Sequence, residues 1–423
     1  MLRSTPFHAF RLAALAFALG LAWPTHECAA ANIESEPALA TAQLLPADTP
    51  LTGSGYRIAT PTRLKGFLGQ YRIDSDWGVL EAEGTELLRL RVAEMPALAR
   101  LDGVTGSAVF ADAIAQSLKR SGRSLVRVVT SPVETVKGIP AGLGRMLTRT
   151  AAGVRRTAQS VADAVSRERD DGASAAGAAS GAPNSAKEVL GLNKARRSLA
   201  RELGIDPYSS NPLLQQRLED LAWAAMAGGV SIDIAVGALS GGAGQVLSVS
   251  GRLDNLVWEL PPTEIRDRVE RRLLARGLDA TAVRGCLRAP AFTPTLQLRW
   301  ADALDALGQP AGESGVLALC ASVRGEVHMR FLIQQLEMQA DASDPASELI
   351  ALEQSIAART KSGIYRVTLP VDHLSWTEAL QQRDSAPSKR QLWIAGSVSR
   401  LAARELRRAG WQVQAGRGWP SQR

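Results

Sequence analysis

Alternation of apolar and polar residues marks the first structured region after the amino end. Apolar and polar side chains alternate across residues 69–74, and Asp76-Trp77-Gly78 supplies a turn before the next apolar run. This pattern predicts a small antiparallel sheet in residues 56–83. Apolar spacings of three and four then replace the alternation, which predicts a helix over residues 85–101 with Thr85 as its cap.

Helical spacing dominates the middle of the chain. Residues 187–360 carry apolar side chains three or four positions apart almost throughout, which predicts a helical domain whose last helix covers 346–358. Gly204 is typical of a helix end, and Asn211-Pro212 has the preferred order for a helix start.

Apolar and polar residues alternate again near the carboxyl end of the chain. Residues 364–369, 391–395 and 411–413 are predicted to be strands, with a helix capped by Ser397 or Ser399 between the last two. Together, the patterns predict an α+β fold that is predominantly α-helical. It has a small antiparallel β unit near the amino end and a small α/β module at the carboxyl end.

The same patterns divide the chain into seven segments. They are a signal peptide (1–31), a flexible arm (32–55), a small β+α domain (56–130), a basic amphipathic helical segment (131–169), a Gly/Ala/Ser linker (170–186), a helical domain (187–360) and a small α/β module (361–423). The linker lacks the apolar residues that offset the entropy of ordering a chain.

The first residues have the layout of a signal peptide. Arg3 and Arg11 precede an apolar run over residues 12–23, and Ala29 and Ala31 fit the small-residue rule for cleavage. The run is shorter than a membrane span, although a retained anchor is the alternative. We therefore expect export across a bacterial-type inner membrane, cleavage near Ala31, and a periplasmic or secreted product.

Composition and net charge indicate which kinds of partner the protein could bind. Apolar residues make up 45% of the chain, which is ordinary for a globular protein. The net charge is +7, and removal of residues 1–31 leaves 47 basic against 41 acidic residues. For an exported protein this surplus favours an anionic membrane surface or an envelope protein as partner, and no nucleic acid. A solvated arginine-rich surface is the alternative explanation.

Two cysteines remain after the expected cleavage, Cys286 and Cys320. An oxidising compartment permits a disulfide between them, although the sequence alone leaves two buried thiols as the alternative.

Residues 131–169 are the best binding candidate. An apolar stripe with a basic surplus is typical of a helix that lies in a membrane interface. The residues proposed for membrane or partner binding are Lys137, Arg145, Arg149, Arg155, Arg156, Ile139, Leu143, Met146 and Leu147. A stripe of this kind also lets a helix dock on its own core, which is the alternative.

Candidate chemistry is sparse. No motif for a metal, a nucleotide or another cofactor is present, so no cofactor is predicted. The best local cluster, Asp372, His373 and Ser375, groups a carboxylate, an imidazole and a hydroxyl. Because neighbouring strand residues face opposite sides, helix capping is the favoured role for Asp372 and Ser375.

Two segments carry a family resemblance. SPVETVKGIP at 131–140 and LPVDHLSWTE at 369–378 resemble a family of exported proteobacterial proteins of unassigned function. The resemblance implies no activity, cofactor or site residue.

The sequence therefore predicts a non-enzymatic cell-envelope protein that uses residues 131–169 to associate with a membrane surface or an envelope partner. One alternative is an exported hydrolase at Asp372, His373 and Ser375. The other is a toxin-like protein that inserts residues 221–250, although Asp233 would be costly in a membrane.

Overall fold

A computed structural model of the chain describes residues 33–105, 182–226, 255–381 and 389–419. The chain separates into two compact units, the first made of residues 1–96 and 247–423 and the second of residues 97–246. Helices dominate, with an antiparallel sheet near the amino end and a mixed sheet near the carboxyl end, so the predicted α+β fold is confirmed. The signal peptide and the segment 131–169 lie outside the described residues.

The first unit opens with the predicted antiparallel sheet. Its strands are β1 (Ala38–Leu39), β2 (Thr52–Gly53), β3 (Tyr56–Ile58), β4 (Thr62–Lys65), β5 (Leu68–Ser75) and β6 (Gly78–Glu83). Strand β5 pairs with β3, β4 and β6. Tyr71 and Ile73 are buried and Arg72 between them is exposed, as the predicted alternation requires.

The region predicted to be a flexible arm makes specific contacts instead. It forms β1, which pairs with β4, and helix α1 (Thr41–Leu44). The carboxylate of Glu36 accepts hydrogen bonds from the N–H groups of Phe67 (2.7 Å) and Gly66 (3.1 Å). The N–H of Glu34 donates to the carbonyl of Trp376 at 2.8 Å. The composition could not reveal these contacts because all their partners are distant in sequence.

Helix α2 (Thr85–Thr105) extends the predicted helix by one turn. Thr85 is its first helical residue and does not act as the predicted cap. Its N–H donates to the carboxylate of Asp372 at 3.0 Å, and its hydroxyl pairs with that of Tyr71 at 2.9 Å. A carboxylate 287 positions away therefore caps the helix, which no local pattern could predict.

The described part of the second unit includes helices α3 (Ala182–Leu203) and α4 (Pro212–Met226). Gly204 has a φ of 66° after α3, and the side chain of Asn211 accepts from the N–H groups of Leu213 (3.1 Å) and Leu214 (3.3 Å). Both predicted helix boundaries are confirmed. Helix α3 begins inside the stretch predicted to be a linker, and only the start of the apolar stretch 221–250 is described.

A helical layer forms the middle of the first unit. Its helices are α5 (Leu256–Glu259), α6 (Pro262–Ala275), α7 (Ala280–Leu287), α8 (Pro294–Ala306), α9 (Glu313–Ser322) and α10 (Glu326–Ala340). A buried disulfide between Cys286 and Cys320 joins α7 to α9. The pairing that the sequence left open is therefore present in the structure.

The helix predicted at 346–358 is wrong. Strands β7 (Ala346–Ala351) and β8 (Ile356–Thr360) occupy this region and pair antiparallel. The segment is rich in Ala, Glu and Leu, which favour helices. Strand β8 instead pairs with β9 (Tyr365–Leu369), so the neighbouring sheet overrides the local preference.

The predicted strand–helix–strand module is confirmed in a larger sheet. After β9 come β10 (His373–Leu374), α11 (Glu378–Gln381), β11 (Arg390–Ile394), β12 (Ser397–Val398), α12 (Arg400–Arg408) and β13 (Trp411–Gln414). The sheet order is β13-β11-β9-β8-β7, and β9, β11 and β13 are parallel. Ser399 caps α12 by accepting from the N–H of Ala402 at 2.9 Å.

Candidate functional site

The carboxyl ends of β9 and β11 lie beside each other because these strands are parallel neighbours. The segments that follow them form a second, two-stranded parallel sheet in which β10 pairs with β12. Loops at the carboxyl edge of parallel strands are common binding sites in α/β sheets. We call the polar group at this edge the β10–β12 cluster; its members are Glu34, His373, Gly396, Ser397 and Ser399.

His373 and Ser397 form the centre of this cluster. The Nδ1 atom of His373 lies 2.7 Å from the Oγ atom of Ser397, and both side chains are half-buried. Burial lowers the pKa of His373 below its ordinary value, and the negative charge of Glu34 partly opposes this by raising it. The imidazole is therefore mainly neutral near pH 7, and in the tautomer with its proton on Nε2 the Nδ1 atom can accept a proton.

Gly396 allows β10 and β12 to come this close. A Cβ atom added at this position would lie 2.1 Å from the carbonyl oxygen of Asp372, so no larger residue fits without movement of the backbone. The N–H of Gly396 donates to the carbonyl of Val371 at 2.9 Å, and the N–H of Ser397 donates to that of Asp372 at 3.0 Å. The glycine thus fixes the position of Ser397 against His373.

Glu34 attaches the amino-terminal strand region to the same cluster. Its carboxylate accepts hydrogen bonds from the N–H of Trp376 at 2.7 Å and from the hydroxyl of Ser399. The oxygen of that hydroxyl also caps α12 through Ala402. One carboxylate therefore fixes the loop after β10 and the start of α12 together.

Asp372 belongs to a different environment, although it precedes His373 directly. Its carboxylate is fully buried and accepts from the N–H groups of Gly69 (2.6 Å) and Thr85 (3.0 Å) and from the hydroxyl of Tyr71 (3.4 Å). Burial raises its pKa to about 6, while these hydrogen bonds oppose the rise. Burial and the charge of Asp372 also raise the pKa of Tyr71.

The structure does not bring the three sequence-predicted catalytic side chains together. Asp372 contacts the antiparallel sheet and α2, and His373 contacts Ser397. Ser375 is buried to 1% exposure, and its carbonyl accepts from the N–H of Thr377. Ser397, which the sequence suggested only as a helix cap, is the hydroxyl partner of His373. No local signal links the two, because 24 positions separate them.

A second polar group, which no local sequence pattern predicts, is the charged cluster. Its members are Glu86, Arg299, Glu326, Arg330 and Glu337. Arg299 pairs with Glu86 at 2.6 Å and with Glu337 at 3.0 Å, and Arg330 pairs with Glu326 at 2.8 Å. Burial alone would lower the pKa of Arg299, but the two carboxylates raise it above its ordinary value. The cluster joins α2, α8 and α10.

A narrow cleft lies beside the charged cluster. Thr85, Glu86, Arg330, Gln334 and Trp419 are among the residues that line it. Because Arg330 is paired with both Glu86 and Glu326, its charge is already balanced. Within the described ranges, no group of three or more His, Cys, Asp or Glu residues is arranged to hold a metal ion.

All nine predicted membrane-binding residues, from Lys137 to Arg156, lie outside the described residues. No helix in the described part of the chain is both long enough and apolar enough to span a bilayer.

Comparison with known proteins adds no family to this description. No family model, no curated protein and no solved structure matches the chain. The resemblance of the 131–140 and 369–378 segments therefore stays a prediction.

Proposed function

We propose that the protein is an exported component of the cell envelope that binds an anionic membrane surface or an envelope partner through residues 131–169. The observation that carries the exported location is the buried Cys286–Cys320 disulfide, whereas the binding element is proposed from the basic amphipathic pattern of residues 131–169. Stable disulfides belong mainly to oxidising compartments such as the periplasm. The signal-peptide layout of residues 1–31 supports the same location.

Among the described residues, exposed large hydrophobic side chains do not form a membrane-binding patch. Ile33 and Val79 are the large hydrophobic side chains exposed in the described part, at 49% each, and they occur as single residues. Scattered apolar residues of this kind do not make a membrane-binding patch. The segment 131–169 instead combines an apolar stripe with a basic surplus.

Vesicle sedimentation tests this function. The processed protein should sediment with phosphatidylserine/phosphatidylcholine vesicles and not with phosphatidylcholine alone. Replacement of Lys137, Arg145, Arg149 and Arg155 by Gln should weaken binding by more than about 100-fold, since each basic residue near an anionic surface contributes about 1 kcal/mol. Mass spectrometry of the protein from the native envelope fraction should give a first residue near Asn32.

A matched control separates a local effect from net charge. Arg266, Arg268, Arg400 and Arg407 are exposed arginines of α6 and α12, and their replacement by Gln removes the same four charges. This control should bind vesicles almost as well as the wild type. Equal loss in both variants would reject 131–169 as the binding element, and an intact Met1 on cytosolic protein would reject export.

The hydrolase alternative takes a different form from the one that the sequence suggested. Asp372, His373 and Ser375 are directed to different partners, but His373 has a hydroxyl partner in Ser397 at 2.7 Å. This contact is the specific observation that favours an exported hydrolase as the second candidate function. Hydrolase activity at this pair does not depend on vesicle binding, and vesicle binding does not depend on hydrolase activity.

A further inference from the structure

We propose that Ser397 is a nucleophile toward short, uncharged carboxylic esters, with His373 as its general base. This inference goes beyond the binding function and does not depend on it. It replaces Ser375, the hydroxyl that the sequence places nearest to His373, with one that only the fold brings into contact.

The geometry of the pair meets the first requirement for such a site. A general base must lie about 3 Å from the hydroxyl whose proton it removes, and Nδ1 of His373 lies 2.7 Å from Oγ of Ser397. Both side chains are half-buried, so an ester can approach them from the solvent side. The lowered pKa of His373 keeps the imidazole neutral and ready to accept a proton.

The backbone of β12 offers a donor for the negative charge that develops during attack. The N–H groups of Ser397 and Ser399 both donate toward β10, to the carbonyls of Asp372 (3.0 Å) and Leu374 (2.9 Å). The N–H of Val398, between them, therefore points away from β10. Val398 directly follows the nucleophile, and the amino-terminal end of α12, which carries a partial positive charge, begins two residues later.

The reaction is a two-step acyl transfer to water. Oγ of Ser397 forms a bond to the acyl carbon while its proton passes to Nδ1 of His373. The bond from the acyl carbon to the alcohol oxygen then breaks, and the alcohol leaves with that proton. A water molecule, deprotonated by His373, attacks the acyl-serine; the carboxylic acid leaves, and the proton returns to Ser397.

The surroundings limit the substrate to a short and uncharged acyl group. The side chains of Leu374 in β10 and of Trp376 after it are 0% and 4% exposed, so they are packed into the fold and are not expected to line an open pocket for a long acyl chain. The carboxylate of Glu34 lies close enough to raise the pKa of His373, so it would repel an anionic ester. An acetyl ester whose alcohol part stays in solvent meets both limits.

Covalent labelling of the full chain tests the proposal. A fluorophosphonate probe, followed by proteolysis and mass spectrometry, should modify the peptide that contains Ser397 in the wild type. Ser397→Ala should take up no label there, and His373→Gln should be labelled about 10²–10⁴-fold more slowly, the usual contribution of a general base. Ser375→Ala should be labelled like the wild type.

Hydrolysis of 4-nitrophenyl acetate provides the second readout. Turnover should fall to the level of free imidazole in Ser397→Ala and in His373→Gln, while circular dichroism shows that both variants are folded. Absence of label on Ser397 in the wild-type protein, label on Ser375, or equal turnover in Ser397→Ala would each overturn the proposal. Because the wild-type result locates the label by itself, a misfolded variant would not prevent a decision. Vesicle binding would be unaffected by any of these outcomes.

Discussion

Asp372 and His373 are adjacent in the chain, yet their side chains enter two regions that differ in burial and in hydrogen bonding. Asp372 is fully buried, and its carboxylate accepts from three donors on the antiparallel sheet and α2. His373 is half-buried and contacts one hydroxyl, that of Ser397. Asp372 lies in a bend directly before β10 and His373 is the first residue of that strand, so one dipeptide supplies both regions. A fully bonded buried carboxylate stabilises the fold, whereas a half-buried imidazole–hydroxyl pair remains accessible to a ligand.

Removal of the Asp372 carboxylate is expected to change the stability of the protein more than any other substitution in these two regions. Asp372→Ala leaves the N–H groups of Gly69 and Thr85 buried without partners, so the free energy of unfolding should fall by roughly 2–6 kcal/mol. Ser397→Ala removes two part-buried contacts of the hydroxyl, the one to Nδ1 of His373 and a long one (3.4 Å) to the carbonyl of Asp372, and should cost about 1–2 kcal/mol. Urea unfolding followed by circular dichroism measures both. If both variants lost the same unfolding free energy, the buried region around Asp372 would contribute no more to stability than the half-buried region around His373.

The pH dependence of stability gives the next largest effect. The pKa of Asp372 is about 6 in the folded protein, above the ordinary value of 3.8. The folded state therefore holds this proton more tightly between about pH 4 and pH 6. The stabilisation is fully present below about pH 4 and is lost as the pH rises through 6. Relative to Asp372→Asn, the wild type should lose about 3 kcal/mol of unfolding free energy between pH 4 and pH 7.5.

Guanidinium titrations of both proteins at several pH values measure this difference. A difference that stays constant with pH would mean that the three hydrogen bonds keep the Asp372 carboxylate charged in spite of its burial.

A substitution at Gly396 tests the half-buried region with a smaller expected effect. Gly396→Ala places a Cβ against the carbonyl oxygen of Asp372, so β10 and β12 must separate. We expect a loss of about 1–3 kcal/mol in stability and a marked loss of fluorophosphonate labelling at Ser397.

Gly103→Ala is the matched control, because no heavy atom lies within 4 Å of a Cβ added there and the position is inside α2, where Ala is well tolerated. It should leave stability and labelling close to wild type. Labelling of Gly396→Ala at the wild-type rate would show that the close approach of the two strands is not needed.

Local pattern predicted much of the fold but little of the candidate site. The alternation around Tyr71 and the capping sequence at Asn211-Pro212 were sufficient because each describes contacts between near neighbours. The helix predicted at 346–358 failed because β8 obtains its backbone hydrogen bonds from β9. Thr85 failed as a cap because Asp372 performs that role from 287 positions away.

The sequence by itself determined the strands around Tyr71 and at the carboxyl end, most of the helices and the pair of cysteines available for a disulfide, because these depend on spacing along the chain. Only the tertiary structure decided that His373 meets Ser397, that Asp372 caps α2 and that Glu34 joins the same cluster. Each of these contacts closes a loop of at least 24 residues. Such contacts form only when the parallel strands and the amino-terminal sheet are in place. The residues next to a side chain in the sequence therefore do not predict them.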